Sequence, residues 1–151
     1  MIGYFDTSAV IPLVIAEPST EMCARLWLEC DVRVSTLLII AEAGAALAQA
    51  LRMGRLDDAQ YEKAVELLGR RAEELDLISV TRKTVDDAAK LAARHALRGY
   101  DAVHVASALA VSEEDLVGIS GDKQLLDVLR SEGVDVVNVN DEERNSDKVQ
   151  S

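Results

Sequence analysis

Aromatic residues are scarce: one Trp, three Tyr and one Phe among 151 residues. A core must therefore be filled by Ala, Val and Leu, which suits close packing of helices on a sheet. Base stacking, too, has few rings to draw on. Cysteine is nearly absent, with only Cys23 and Cys30. The pair lies on one amphipathic stretch and makes no disulfide framework. With His95 and His104 far away at unrelated spacing, it makes no zinc site either. Both read as small buried residues in a reducing compartment. Long apolar runs are missing as well: the longest, residues 37–51, is too short to span a bilayer and contains Glu42. The N-terminus lacks a basic segment, and Asp6 and Pro12 interrupt its apolar run. The chain therefore reads as soluble and cytoplasmic, with no membrane partner. Positive charge is in deficit, with 16 Lys and Arg against 27 Asp and Glu and a formal net charge of −11. That balance excludes a surface that holds nucleic acid by charge alone; such a role needs local cations or bound metal.

What is present is an alternation of strand-like and helix-like runs in a chain of single-domain length. Residues 2–5 read as a strand. Residues 8–15 and 20–29 read as helices parted by Glu17–Pro18–Ser19. Residues 32–35 form a second strand, and residues 37–53 an Ala-rich helix with Thr36 as its cap. A strongly amphipathic helix follows, with Asp57 and Gln60 spaced as a capping box. "DLISV" is a third strand. Residues 84–97 form a helix closed by Gly99, and residues 101–111 a nearly all-apolar one. "DLVGIS", residues 122–130 and "VDVVNV" add a strand, a helix and a strand. Residues 1–140 make one domain; residues 141–151 are a polar, flexible tail. Strands joined by helical crossovers imply an α/β fold with a mostly parallel sheet of about five strands, covered on both faces. In such sheets chemistry gathers beyond the carboxyl ends of the strands.

Four carboxylates stand where ordinary surface charge does not explain them. Glu42 has only Leu38, Ile39, Ala45 and Ala46 one turn away, so no cation on its own helix pairs with it, and burying its charge calls for something positive. Small residues at Ala41, Gly44, Ala45 and Ala48 suggest that another element packs closely there. Asp6 and Asp122 follow strands and precede helices, and Asp101 opens the apolar helix; each alone is explained by N-capping. His104 reads as a plain helix-surface histidine. Taken together, the four acids converge at one edge of the sheet. Clustered carboxylates repel unless a cation intervenes, and hard oxygen ligands suit Mg²⁺ or Mn²⁺.

"YFDTSAV", "VSTLLIIAEAGAAL", "GYDAVHVASAL" and "GISGDKQLL" resemble, in order and spacing, the four motifs of PIN-domain ribonucleases. At this length the chain is similar to the VapC-type toxins of bacterial toxin–antitoxin pairs. The resemblance implies a three-layer α/β/α PIN-like domain and a Mg²⁺- or Mn²⁺-dependent endoribonuclease using one or two ions. Asp6, Glu42, Asp101 and Asp122 would be the metal-binding, catalytic acids, with Thr7, Ser8 and Ser120 as supporting hydroxyls. It also implies a homodimer and a cognate VapB-type antitoxin. Arg94, Arg98 and Lys123 are the preferred phosphate contacts among the basic residues, which also include Arg52, Arg55, Arg82 and Lys83. With so few aromatics, the expected substrate is a structured RNA read by shape, a transfer or ribosomal RNA. Rival readings are a non-catalytic acidic α/β association module and a degenerate PIN domain that binds metal without cutting. An aspartyl phosphatase would want a second Asp two residues after Asp6, where Ser8 stands.

Overall fold

A computed structural model describes residues 1–111 and 115–141. The elements run β1 (Ile2–Phe5), α1 (Thr7–Val10), a 3₁₀ turn (Ile11–Leu13), α2 (Thr20–Glu29), β2 (Val32–Thr36), α3 (Ile39–Arg52) and α4 (Asp58–Glu73). They continue as β3 (Asp76–Ile78), α5 (Arg82–His95), α6 (Gly99–Leu109), β4 (Leu116–Ser120), α7 (Lys123–Ser131) and β5 (Asp135–Asn138). The five strands form one sheet in the order β3-β2-β1-β4-β5, and every pairing is parallel. The expected α/β architecture is the one found. The polar tail beyond residue 141 lies outside the described residues.

Side chains alternate across the sheet with period two, and β1 displays this most plainly. Phe5 enters a core shared with Trp27, Ile39, Ala43, Leu47 and Ile119, on the side of α1 to α4. Tyr4 enters the opposite core, with Leu91, Val105, Leu125 and Leu129 from α5, α6 and α7. Two cores on two faces make the three layers. Where strands and helices crowd closest, only a glycine fits: a Cβ on Gly3 would stand 2.5 Å from Cys30 Sγ and 2.8 Å from Phe5 Cε2. Cys23 and Cys30 are buried free thiols, and burial pushes Cys23 up to about 11.

Several sequence expectations need correction. The first helix is only α1, because Pro12 falls in a 3₁₀ turn rather than in a continued α-helix. Thr36 is the buried last residue of β2, and Leu38 takes the N-cap position of α3. The Thr36 hydroxyl still accepts the Leu38 amide at 3.3 Å. Ala96, in the left-handed region at φ 53°, ends α5. Gly99, expected to close that helix, instead opens α6. Ala41 and Ala45 do not mark a close internal contact. The buried face of α3 is Ile39, Ala43, Leu47 and Ala50, which leaves those two alanines exposed.

Candidate active site

Strand order reverses at β1. The chain steps outward through β2 and β3, then returns to place β4 on the other flank of β1. In open parallel sheets such a reversal leaves a crevice beyond the carboxyl ends of the two strands. Here β1 delivers Asp6 into it and β4 leads to Gly121 and Asp122, with Ser120 buried just behind. Glu42 from α3 and Asp101 from α6 line the same cleft, together with Thr7, Ser8 and His104. All four acids singled out in the sequence thus share one cavity of about 530 Å³.

Ser8 and Ser120 pin the crevice. The Ser8 hydroxyl donates to Asp6 Oδ1 at 2.7 Å and accepts the Gly121 amide at 2.7 Å. Its one proton is spent on Asp6, so at the 3.2 Å contact between the two serine oxygens Ser120 is the donor. Ser120 Oγ also accepts the Asp122 amide at 2.8 Å. The Thr7 hydroxyl oxygen is buried and has no partner among the described residues.

The four acids sit in different surroundings. Asp6 stands at the N-cap position of α1, yet its carboxylate makes no capping bond. It is 7% exposed, and burial pushes its pKa up, against the pull of His104 and the hydroxyls of Ser8 and Ser120. Asp122 does cap α7: its Oδ1 accepts the Gln124 and Leu125 amides at 3.0 and 3.2 Å. Asp101 is not an N-cap, contrary to the expectation from sequence; Arg98 holds that position and Asp101 lies in the first turn of α6. It accepts a 3.3 Å bond from Arg98 Nε. The Arg98 side chain is 87% exposed, so this is a weak surface pair.

Glu42 meets a hydrogen-bonding partner across its apolar helix face, and it comes from another helix. His104 Nε2 lies 2.6 Å from Glu42 Oε1. His104 is 2% exposed, not the surface histidine expected. The signal was present in the sequence: a helix apolar on nearly every side has no wet face on which to put a histidine. Burial alone would lower its pKa, but the Glu42 hydrogen bond and the carboxylates of Asp6, Glu42 and Asp101 outweigh it and raise it.

Of the basic residues preferred from sequence, Arg98 touches Asp101, whereas Arg94 pairs with Glu132 at 3.0 Å and does not line the cleft. Lys123 is exposed at the start of α7 and does not line it either. Among the described residues the one Lys or Arg in the lining is Arg55, 3.4 Å from Glu17. Also among the described residues, no group of three or more His, Cys, Asp or Glu is set to hold a metal ion as the side chains stand. Each acid is instead engaged by an internal partner: Ser8, His104, Arg98 or the α7 amides.

Comparison with known proteins gives the family. The family model described as PIN domain matches residues 3–142. Two relatives from Mycobacterium tuberculosis, Ribonuclease VapC45 (strain CDC 1551 / Oshkosh) and Ribonuclease VapC49 (strain ATCC 25618 / H37Rv), are each 37% identical over 122 residues. In both cases the match covers 81% of this chain and 85% of the relative. Among solved structures, a toxin-antitoxin complex from Klebsiella pneumoniae is similar in fold, with a TM-score of 0.62 at 14% identity. That match covers 93% of this chain and 99% of the other. With the family model spanning nearly its whole length and the two relatives most of it, this chain belongs to the PIN-domain family.

Proposed function

We propose that this chain is a metal-dependent endoribonuclease, the toxin of a VapBC-type toxin–antitoxin pair. The observation that carries the reading is the meeting of Asp6, Glu42, Asp101 and Asp122, from four separate elements, in one cleft where strand order reverses. The ribonucleases among its relatives support the activity, and the toxin-antitoxin complex of similar fold supports the partner.

The donor set fits Mg²⁺ or Mn²⁺. All four acids are hard oxygen ligands. The buried Asp6 carboxyl is pushed up, so its charged form calls for a cation. Thr7 adds a buried oxygen with no partner among the described residues. Asp6, Glu42, Asp101 and Asp122 would hold one or two such ions, which supply Lewis-acid activation of a water and of the scissile phosphodiester. The chain's own residues do the positioning. Ser8 and Ser120 fix Asp6 and the turn carrying Asp122, and Asp122 is held a second time by the α7 amides. Arg55 offers a guanidinium to a backbone phosphate at the cleft wall.

The substrate is a structured RNA, transfer or ribosomal, since a protein this poor in aromatics and this acidic reads shape better than it grips single strands. The active form is a homodimer in the cytoplasm, restrained by a VapB-type antitoxin. No helix among the described residues is long and apolar enough to cross a membrane.

The test is incubation of purified, antitoxin-free protein with total RNA, with Mn²⁺ or Mg²⁺ and with chelator, beside Asp101→Asn. We expect a few discrete cuts that require the divalent ion and disappear in the variant. Asp101 makes no capping bond, so losing its charge should cost no more than about 1 kcal/mol of stability. Intact RNA with the folded wild-type protein, or equal cutting by the variant, rejects the reading.

A further inference from the structure

One buried chain of polar groups remains without a role. The Tyr4 hydroxyl lies 2.9 Å from His104 Nδ1, and His104 Nε2 lies 2.6 Å from Glu42 Oε1. Tyr4 is 1% exposed and His104 2%. Two short bonds thus link the central strand, through α6, to α3. The Tyr4 and His104 rings meet edge to face with planes at 87°. A buried imidazole bonded at both nitrogens has one orientation available to it.

Which proton sits where follows from donor accounting. Burial pushes the Tyr4 phenol well above its ordinary pKa, so it keeps its proton. A Glu42 carboxylate can only accept, so a neutral ring carries its N–H on Nε2, facing Glu42, and Nδ1 accepts from the Tyr4 hydroxyl. A protonated ring presents Nε2–H as well. In both states His104 donates and Glu42 Oε1 accepts, so the arrangement does not depend on the charge of the ring. One carboxylate oxygen is occupied; the other, Oε2, takes no part in that bond.

We propose that His104, seated on Tyr4, is the positioning residue of Glu42: it clamps Oε1 and leaves Oε2 as a single-oxygen ligand for a divalent cation in the cleft. This rests on the reading of Glu42 as a metal ligand given above. Partners one step removed from a metal commonly fix the orientation and basicity of the ligand they touch, and their loss costs roughly ten- to hundredfold in metal affinity. A histidine that merely fills the core would be replaced by any side chain of similar volume without such a loss.

The experiment is titration of the full chain with Mn²⁺, followed by calorimetry, for wild type, Glu42→Gln, His104→Leu, His104→Gln and Tyr4→Phe, each with its thermal melt. Gln extends a side-chain N–H toward the place of the imidazole Nε2–H; Leu does not. We expect His104→Leu to weaken Mn²⁺ binding roughly ten- to hundredfold, and His104→Gln to recover most of that loss. Tyr4→Phe should fall between wild type and His104→Leu. If His104→Leu fails to fold, His104→Gln and Tyr4→Phe carry the comparison. The proposal is overturned if the His104 variants bind as wild type does while Glu42→Gln does not, a result that leaves the ligand reading standing. It is also overturned if His104→Gln loses as much affinity as His104→Leu. A folded wild-type protein that binds no Mn²⁺ removes the ligand reading itself.

Discussion

Asp122 carries two duties on one side chain, and the two can be separated. Its Oδ1 caps α7 while the residue lines the cleft. Asp122→Asn keeps an oxygen for the amides and removes the charge; Asp122→Ala removes both. Stability in urea should therefore change little for Asn but fall by about 0.5–2 kcal/mol for Ala, whereas RNA cleavage should be lost in both. Equal destabilisation by the two variants would mean that the cap matters less than the geometry says. At this scale the sequence was ambiguous for a physical reason. An Asp between a strand and a helix satisfies the capping pattern whether or not its carboxylate turns back to the amides. At Asp6 it does not, at Asp122 it does, and at Asp101 the helix begins earlier, at Gly99. Glu42 was the more telling residue, because an acid on an apolar face has no such local excuse. What no local pattern disclosed was its partner, His104, which lies 62 residues away.

Element boundaries followed local chemistry where that chemistry was unambiguous. The Asp57–Gln60 capping box forms as the spacing predicts, with both reciprocal bonds present at the start of α4. The end of α5 did not follow, because the left-handed residue there is Ala96 rather than a glycine. An L-residue in that region is strained by roughly 1–2 kcal/mol, and sequence patterns assign such positions to the nearest Gly, here Gly99. Ala96→Gly should accordingly stabilise the protein by up to about 1 kcal/mol, after the greater unfolded-state entropy of glycine is set against the relieved strain. Chemical denaturation would measure it, and a loss of stability would mean that the Ala96 methyl contributes more than its backbone costs. The α3 helix teaches the same lesson about faces. Its small residues were visible, but Ile39, Ala43, Leu47 and Ala50 decide which way it turns, and their burial depends on α4 and the sheet rather than on α3 itself.

Across the whole molecule, the ends of α5 and α7 are fastened by one carboxylate. Glu132 takes a 2.8 Å contact from His95 Nε2 and a 3.0 Å bond from Arg94. The His95 hydrogen bond, with Arg94 adding, holds Glu132 below its ordinary value of 4.5. An acid whose pKa is lower folded than unfolded stabilises the fold above the unfolded value and loses that contribution as pH falls through the folded one. Glu132→Gln should therefore melt lower than wild type at neutral pH, and the gap should close as the pH drops below about 4.5. A gap that persists in acid would assign the effect to packing. The overall fold class was legible because strands and helices alternate along the chain; the order of the strands was not, since nothing local says on which flank of β1 the chain returns. That order has a consequence in time. β1 pairs with β4 through Ile2↔Leu116 and Phe5↔Ile119, so β1 must wait for a strand made long after it before that edge is paired. A growing chain holds Asp6 without Asp122, and the cleft has no far wall until β4 and the start of α7 have been made. For a protein read as a ribonuclease, made among the RNAs of the translation machinery, this means that a nascent chain carries no assembled acid cleft until Asp122 has left the ribosome.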